Sequence, residues 1–433
     1  MESKEHYPLF TVIIPQKNRA EYIVHTLKTC MIQDYPNFEV IVADDFSDDN
    51  SVEVIRECMK KDPRIKLIAH EHHVGMRDNF EIALAAVKPG YVMALGGDDG
   101  LVPGCIWRMY EILKDTGKEL LCWDTPFFTY PDGEGGKSKF IIKKHTDFNV
   151  SIIKSEDFLN KIAKSMRYLI KECPMFYIKG VASTNLVDKV KSRTQDGCFY
   201  SCPTPDGFSG VVLAGEVESY AYTNEPLSIG GNTPKSQGRN YHRTDEKSRK
   251  EAQEFFNDNI RRTMHVELAS QPYSPLVTLM TADYLLTARD LPGWPGKFEM
   301  FSYKTVIERT FKFLERSTFE NQVLVREMRI LREIAKQHGE LELFEKLLLT
   351  TKRRVVRNDV FSGTVVTAQS VIFSGDEMNI NNIFDASLAV NFSYRMYNAC
   401  SFKETFLIMY RMIKTLFNAK NYKIEYLPQI ESL

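Results

Sequence analysis

Two adjacent carboxylates, Asp98 and Asp99, stand in the run Ala94-Leu95-Gly96-Gly97-Asp98-Asp99-Gly100, straight after the apolar segment Tyr91 to Leu95, which reads as a short buried strand. Carboxylates at the C-terminal edge of a strand can reach a cation. The glycines around them let a phosphate or a ribose approach the backbone with no Cβ in the way. Alone, Asp-Asp-Gly is ordinary turn chemistry. Here a second acidic cluster, Asp44-Asp45-Phe46-Ser47-Asp48-Asp49, closes another buried run, Phe38 to Ala43. Two acidic loops ending two strand-like segments suit a metal ion and a phosphorylated ligand.

The elements that must carry these loops alternate regularly. Leu9 to Pro15 is a β-rich run ended by proline, and Ala20 to Gln33 places Ile23, Leu27, Cys30 and Met31 at helical spacing. After the turn Asp34-Tyr35-Pro36-Asn37 come a strand over Phe38 to Ala43, a helix over Ser51 to Lys60 and a strand over Ile65 to Ala69. A helix over about Arg77 to Val87 and the strand Tyr91 to Leu95 complete the series. Strand and helix alternating at this interval predict βαβ units and a largely parallel sheet, whose ligands sit outside the carboxyl ends of the strands. Both acidic loops lie at such ends.

Length and charge narrow the class. A chain of 433 residues, 43% of them hydrophobic, can bury sizeable cores and is expected to form two or three domains. Lys and Arg number 56 against 57 Asp and Glu, and no stripe of basic and aromatic residues runs along any element, which argues against a nucleic-acid partner. No apolar run approaches the roughly 20 residues of a membrane span, and Met1 to His6 lacks an apolar signal region, so the expected location is the cytoplasm. Eight cysteines without a Cys-x-x-Cys pair read as reduced thiols.

The motifs resemble those of the family 2 glycosyltransferases of GT-A fold. The resemblance begins at Pro15 with Asn18-Arg19-Ala20-Glu21 and runs through Gln33-Asp34-Tyr35-Pro36-Asn37 to Asp44-Asp45-Phe46-Ser47-Asp48-Asp49. It continues through Gly75-Met76-Arg77-Asp78-Asn79 and Asp98-Asp99 with Pro103, then Pro205-Asp206-Gly207-Phe208 and Glu225 to Gly231. It implies a Rossmann-like, mostly parallel α/β domain over residues 1–240, leaving 241–433 as a mostly helical C-terminal domain for acceptor binding, membrane association or oligomerisation. One departure is Gly96, where many relatives carry an acidic residue.

The resemblance also implies roles. Asp99 is the candidate ligand of a divalent cation, Mn or Mg, and Asp98 accepts from ribose hydroxyls or supports the metal shell. Asp44 matches the position that accepts a hydrogen bond from the base, which favours a uracil donor, and Arg77 is a diphosphate contact. Pro15, Asn18 and Glu21 complete the donor side. Asp206 matches the base that removes the acceptor proton; read from the residues alone, an Asp before the apolar run Phe208 to Ala214 is equally a helix N-cap. Glu216 and Glu218 are the alternative bases.

Other segments have plainer readings. His70-Glu71-His72-His73 is a surface loop rather than a zinc cluster, since consecutive histidines rarely converge. Gly230 to Arg239 is flexible, polar and basic, suited either to a lid over the diphosphate or to a linker. Asp245 to Ala269, Tyr303 to Leu314 and Asn321 to His338 carry helical patterns, and Thr364 to Phe373 is more strand-like. Residues 402–423 set Phe402, Phe406, Met409, Ile413 and Phe417 on one face, for packing in the core or for peripheral contact with an anionic membrane.

The expected activity is an inverting, metal-dependent transfer from a nucleotide-sugar donor to a hydroxyl of a saccharide or lipid-linked acceptor. Bacterial surface polysaccharide such as O-antigen or capsule is the implied setting. The rivals are a nucleotidyltransferase, which would demand a Gly-rich basic loop that residues 15–21 lack, and a scaffold that binds the donor without turnover.

Overall fold

The first hundred residues form β1 (Phe10–Gln16), α1 (Ala20–Met31), β2 (Phe38–Asp44), α2 (Ser51–Lys61), β3 (Ile65–Ala69), α3 (Met76–Ala85) and β4 (Tyr91–Ala94). Each element lies within two residues of its expected bounds. The computed structural model describes residues 7–131, 138–143, 148–236, 263–317, 319, 321–356, 365–366, 370–374, 380–398 and 422–426. Next come β5 (Gly100–Leu101), α4 (Cys105–Thr116), β6 (Leu120–Trp123), β7 (Phe127–Thr129), β8 (Lys139–Lys143), β9 (Val150–Lys154), α5 (Ser155–Ser165) and β10 (Gly180–Ser183). The helices α6 (Thr184–Lys191) and α7 (Pro205–Gly215) lead to β11 (Ser219–Thr223) and β12 (Ser228–Asn232).

Eight strands make the main sheet in the order β3-β2-β1-β4-β10-β6-β11-β9. β1 pairs in parallel with β2 on one side and β4 on the other, while β10 and β9 enter antiparallel. The sheet is therefore α/β and mostly parallel, as a GT-A fold requires. Every residue of β1 and β2 is buried, which is why both read as predominantly apolar runs without alternation. Strand order reverses at β1, so a crevice opens at the carboxyl ends of β1, β2 and β4. Both acidic loops leave the sheet there.

A second sheet sets the other wall. Its order runs from Val365–Val366 and Ser370–Ser374 through β8, β7 and β12 to β5. β12 pairs antiparallel with β5, immediately after Asp98-Asp99, and parallel with β7. The strand-like reading of 364–373 thus holds over its described residues.

The helices Val277–Arg289, Tyr303–Leu314, Asn321–Gln337 and Leu341–Thr350 supply the helical C-terminal part. They share one continuous core with the main sheet, in which Phe208, Val212, Leu279 and Leu286 are all fully buried. In α7 every residue except Asp206 is buried, because an all-apolar helix must be covered all round. The helix Ile383–Asn398 packs separately, against α1, β5 and β12. Residues 245–262 of one expected helix, and 402–421 of the amphipathic segment, lie outside the described residues. Tyr422 and Lys423 open the strand Tyr422–Tyr426, antiparallel to Lys352–Val356. No helix among the described residues is long and apolar enough to cross a membrane, and the described cysteines are all free.

Candidate active site

The turn after β1 is held by the loop after β2. Asn18 adopts φ 55°, and the backbone N–H groups of Asn18, Arg19 and Ala20 donate to Ser47 Oγ at 2.8 Å, Ser51 Oγ at 3.0 Å and Asp49 Oδ2 at 3.1 Å. Those of Arg19 and Ala20 are unpaired donors at the start of α1. Donation from Ser51 and Ala20 outweighs burial and holds the Asp49 carboxyl below its ordinary value. Asp45 accepts from the N–H of Val74 at 2.7 Å and of Gly75 at 3.2 Å, and pairs with His73 Nδ1 at 2.8 Å. Half of the acidic cluster therefore builds loops. The histidine run behaves the same way, with His70 Nε2 2.9 Å from Asn79 Oδ1.

Asp44 ends β2 beside Gln16 of β1 and is 1% exposed. Its Oδ1 accepts from Ser47 N–H at 2.9 Å, and its Oδ2 from Ser47 Oγ at 2.6 Å and from the Gln16 amide. One acceptor direction on Oδ1 remains for a ligand. Pro15 is buried beside Ala43, and Glu21 stands exposed at the start of α1.

Asp98 and Asp99 come together as expected, 6% and 1% exposed. Asp99 Oδ2 accepts from Gly96 N–H at 2.7 Å, and Oδ1 from Gly231 N–H at 2.8 Å. The Tyr177 hydroxyl lies near this carboxylate, both of them against Gly96. Asp98 Oδ2 accepts from Thr233 Oγ1 at 2.9 Å and Ser236 Oγ at 3.2 Å. Burial, with the Asp98 charge next to it, pushes the Asp99 carboxyl up to about 7. The partners named are neutral donors, so negative charge accumulates at the crevice.

That donor set fits a hard divalent cation. Two oxygen carboxylates at a strand end hold such an ion when phosphate oxygens and water complete its shell. Among the described residues no group of three or more His, Cys, Asp and Glu converges, so a cation here depends on the ligand's own oxygens.

The segment after β12 lies against the crevice. Besides the Thr233 and Ser236 bonds to Asp98, Lys235 Nζ donates to Asn18 C=O at 2.9 Å and Arg19 Nη2 to Lys235 C=O at 2.7 Å. Residues 230–236 thus span from the Asp-Asp loop to the turn after β1, and 237–239 lie outside the described residues.

Asp206 stands at the second position of α7, preceded by Pro205 and by the cap residue Thr204, whose side chain makes no capping bond. The N-cap alternative for Asp206 is corrected accordingly: proline at the first helical position fixes the cap two residues earlier, at Thr204. The Tyr168 ring packs against the next residue, Gly207, and the Asp206 Oδ1 is buried without a hydrogen-bond partner. Burial pushes this carboxyl up. The cradle is tight, since a Cβ at Gly207 would lie 2.3 Å from the Tyr284 ring and 2.5 Å from that of Tyr168.

Other residues are placed elsewhere. Glu216 pairs with Arg193 at 2.7 and 3.0 Å at the opposite end of α7, about 15 Å from Asp206 at the rise of a helix, and Glu218 is exposed. Arg77 donates to Tyr200 C=O at 2.7 Å, Asp78 at 2.7 Å and Asp196 at 3.2 Å. Its guanidinium ties α3 to the loop before α7 rather than to the Asp-Asp loop. Sequence reasoning misses Tyr177, which carries no local motif, while Thr233 and Ser236 fall within the Gly230 to Arg239 segment read as a lid or a linker. The Gly230-Gly231 pair is the one signal of close approach near them.

Comparison with known proteins places this geometry. Residues 11–178 match the model of glycosyl transferase family 2. Over 160 residues the chain is 22% identical to "Glycosyltransferase GlyG" of Streptococcus pneumoniae serotype 4, covering 37% of this chain and 52% of that protein. Over 124 residues it is 33% identical to "Putative teichuronic acid biosynthesis glycosyltransferase TuaG" of Bacillus subtilis, covering 27% and 49%. The match thus spans about half the length of these curated relatives. Among solved structures, S. aureus TarS 1-349 in complex with UDP-GlcNAc aligns at TM-score 0.42 and 14% identity, covering 82% of this chain and 95% of that one. A likeness at that level carries no functional argument.

Proposed function

Since residues 11–178 belong to the family 2 glycosyltransferases, we propose that the chain is an inverting, metal-dependent glycosyltransferase. It moves a sugar from a nucleoside-diphosphate sugar, UDP-linked, to a hydroxyl of a saccharide or lipid-linked acceptor. The observation that carries this reading is the buried Asp98-Asp99 pair, held by neutral donors at the carboxyl end of β4. Uncompensated carboxylates are costly to bury unless a cation joins them.

A divalent cation held by Asp99, with Asp98 beside it, would neutralise charge growing on the leaving diphosphate. Asp44 offers its remaining Oδ1 acceptor direction to a base N–H, and Asn18 and the turn around it line the donor side. Asp206 would accept the acceptor's hydroxyl proton, a role supported by its Oδ1 being without a hydrogen-bond partner. The freed oxygen attacks the anomeric carbon opposite the leaving diphosphate, so configuration inverts. A carboxyl pushed up by burial is a stronger base than an exposed one.

The part after residue 240 belongs on the acceptor side in this reading, because Asp206 lies within the field of Tyr273 and Tyr284. Surface polysaccharide synthesis is the setting, in keeping with the name of the teichuronic acid relative. The enzyme would work at the cytoplasmic face of the membrane, with 402–423 as its peripheral contact.

The test is donor turnover with Mn and no acceptor. A nucleoside diphosphate product is expected. Pyrophosphate would assign a nucleotidyltransferase, and intact donor binding with no product a scaffold.

A further inference from the structure

At the end of β4 a second stretch of chain runs alongside Ala94. Ala94 N–H donates to Phe176 C=O at 3.0 Å, and Ile178 N–H donates to Ala94 C=O at 2.8 Å. Tyr177 stands between those bonds. The next residue, Ile178, has φ 54°, a region that β-branched side chains rarely enter. Its C=O accepts from Ser228 Oγ, which itself accepts from Trp123 Nε1 at 2.8 Å. Such a conformation persists only where its surroundings over-determine it, and it clusters at functional sites.

What the kink secures is the direction of the phenol. The Tyr177 hydroxyl comes to the same spot beside Gly96 as the Asp99 carboxylate. A Cβ on residue 96 would lie 2.5 Å from that hydroxyl and 2.8 Å from Asp99 Oδ2. Glycine at 96 and tyrosine at 177 therefore form one device: the first leaves the space into which the second reaches.

We propose that Tyr177 is a positioning residue, whose hydroxyl, admitted by Gly96, fixes the Asp99 carboxylate in the orientation that receives a divalent cation together with a nucleoside diphosphate. This rests on the reading of Asp99 as a cation ligand. The backbone donors Gly96 and Gly231 hold one oxygen each, and the Tyr177 hydroxyl, packed into the space beside Gly96, limits rotation of the carboxylate about its bond. Partners of this kind govern metal affinity as well as the ligands do.

The experiment is calorimetric binding of UDP and of GDP to the full chain, with and without Mn and with no sugar present. Tyr177→Phe should lose about 10–100-fold of the Mn-dependent affinity, the usual effect of removing an outer-shell partner, while binding without Mn is unchanged. Gly96→Ala should produce the same loss by expelling the hydroxyl. In the double variant Gly96→Ala/Tyr177→Phe the two effects should be less than additive in both affinity and melting temperature. Unchanged Mn-dependent affinity in a folded Tyr177→Phe protein, or strict additivity, overturns the inference. If either single variant fails to fold, the other and the double variant still decide it. Asp99→Asn separates the two levels: loss there with none at Tyr177→Phe defeats only the positioning role. No loss at Asp99→Asn, or no Mn-dependent binding by the unaltered chain, defeats the cation reading beneath it.

Discussion

The Gly231 N–H donates to Asp99 Oδ1 at 2.8 Å across a contact so close that a Cβ on residue 231 would lie 1.8 Å from the Asp98 carbonyl oxygen. The second sheet thereby buttresses the acidic loop of the first. Any side chain at 231 must push β12 away. Gly231→Ala is expected to destabilise the fold by about 1–3 kcal/mol, as overpacking does, and to weaken Mn-dependent donor binding. Urea melts and calorimetry measure both; unchanged values would show that the loop adapts.

Asp99 is the residue on which the cation reading turns. Asp99→Asn keeps the shape but removes the charge, so Mn-dependent donor affinity should fall by more than the roughly 10–100-fold that an outer-shell change costs, and transfer should be largely abolished. Equal Mn-dependent affinity in the variant would remove Asp99 from the metal shell.

Asp206 separates chemistry from binding. Asp206→Asn should lower turnover by roughly a hundredfold to ten-thousandfold, the contribution of a positioned base, and leave donor affinity intact. Stability should not fall, because the amide removes a charge whose Oδ1 is buried without a hydrogen-bond partner. Near-normal turnover would move the base elsewhere in the acceptor site.

Asp283, on the helix behind Asp206, gives a pH signature. Its Oδ1 accepts from His265 N–H at 2.7 Å, and burial pushes its carboxyl from 3.8 up to about 6. Between those values the folded state holds a proton that the unfolded chain has released. Stability from this group is complete below pH 4 and is lost as pH rises through 6. Asp283→Asn should therefore gain on the unaltered protein across that window, by up to about 3 kcal/mol at about 1.4 kcal/mol per pH unit, and hold a constant margin above it. Denaturant melts between pH 4 and 8 read the difference, and a margin independent of pH would contradict it.

Trp294 locks the far end of the same helix α7. Its Nε1 donates to Val212 C=O at 3.0 Å, and its ring covers Gly215, where a Cβ would lie 2.0 Å from the indole. Trp294→Ala should cost about 3–5 kcal/mol, as large aromatic deletions from a core do. A loss below 1 kcal/mol would mean that α7 is held by its other neighbours.

The parallel framework is legible from pattern alone. Phe10 to Gln16 and Phe38 to Asp44 are mostly apolar without alternation because a covered parallel strand buries both faces, and the local pattern records burial directly. Asp98-Asp99 and Asp44 are legible for a related reason: a carboxylate straight after a buried strand must stand at its carboxyl end. Nothing local tells Asp44, which accepts from Ser47 in its own turn and from Gln16 of the neighbouring strand, from Asp45 and Asp49, whose oxygens hold the backbone of other segments, since all three share one loop and one residue type. Arg77 has the composition of a phosphate contact, yet Asp196 and Tyr200, more than a hundred positions later, claim its guanidinium. Tyr177 and Gly231 reach Asp99 from chain segments 78 and 132 positions away. Contacts at such separations exist only after the two sheets have packed, so the tertiary fold decides which acids are free to meet a ligand and which neutral groups aim them.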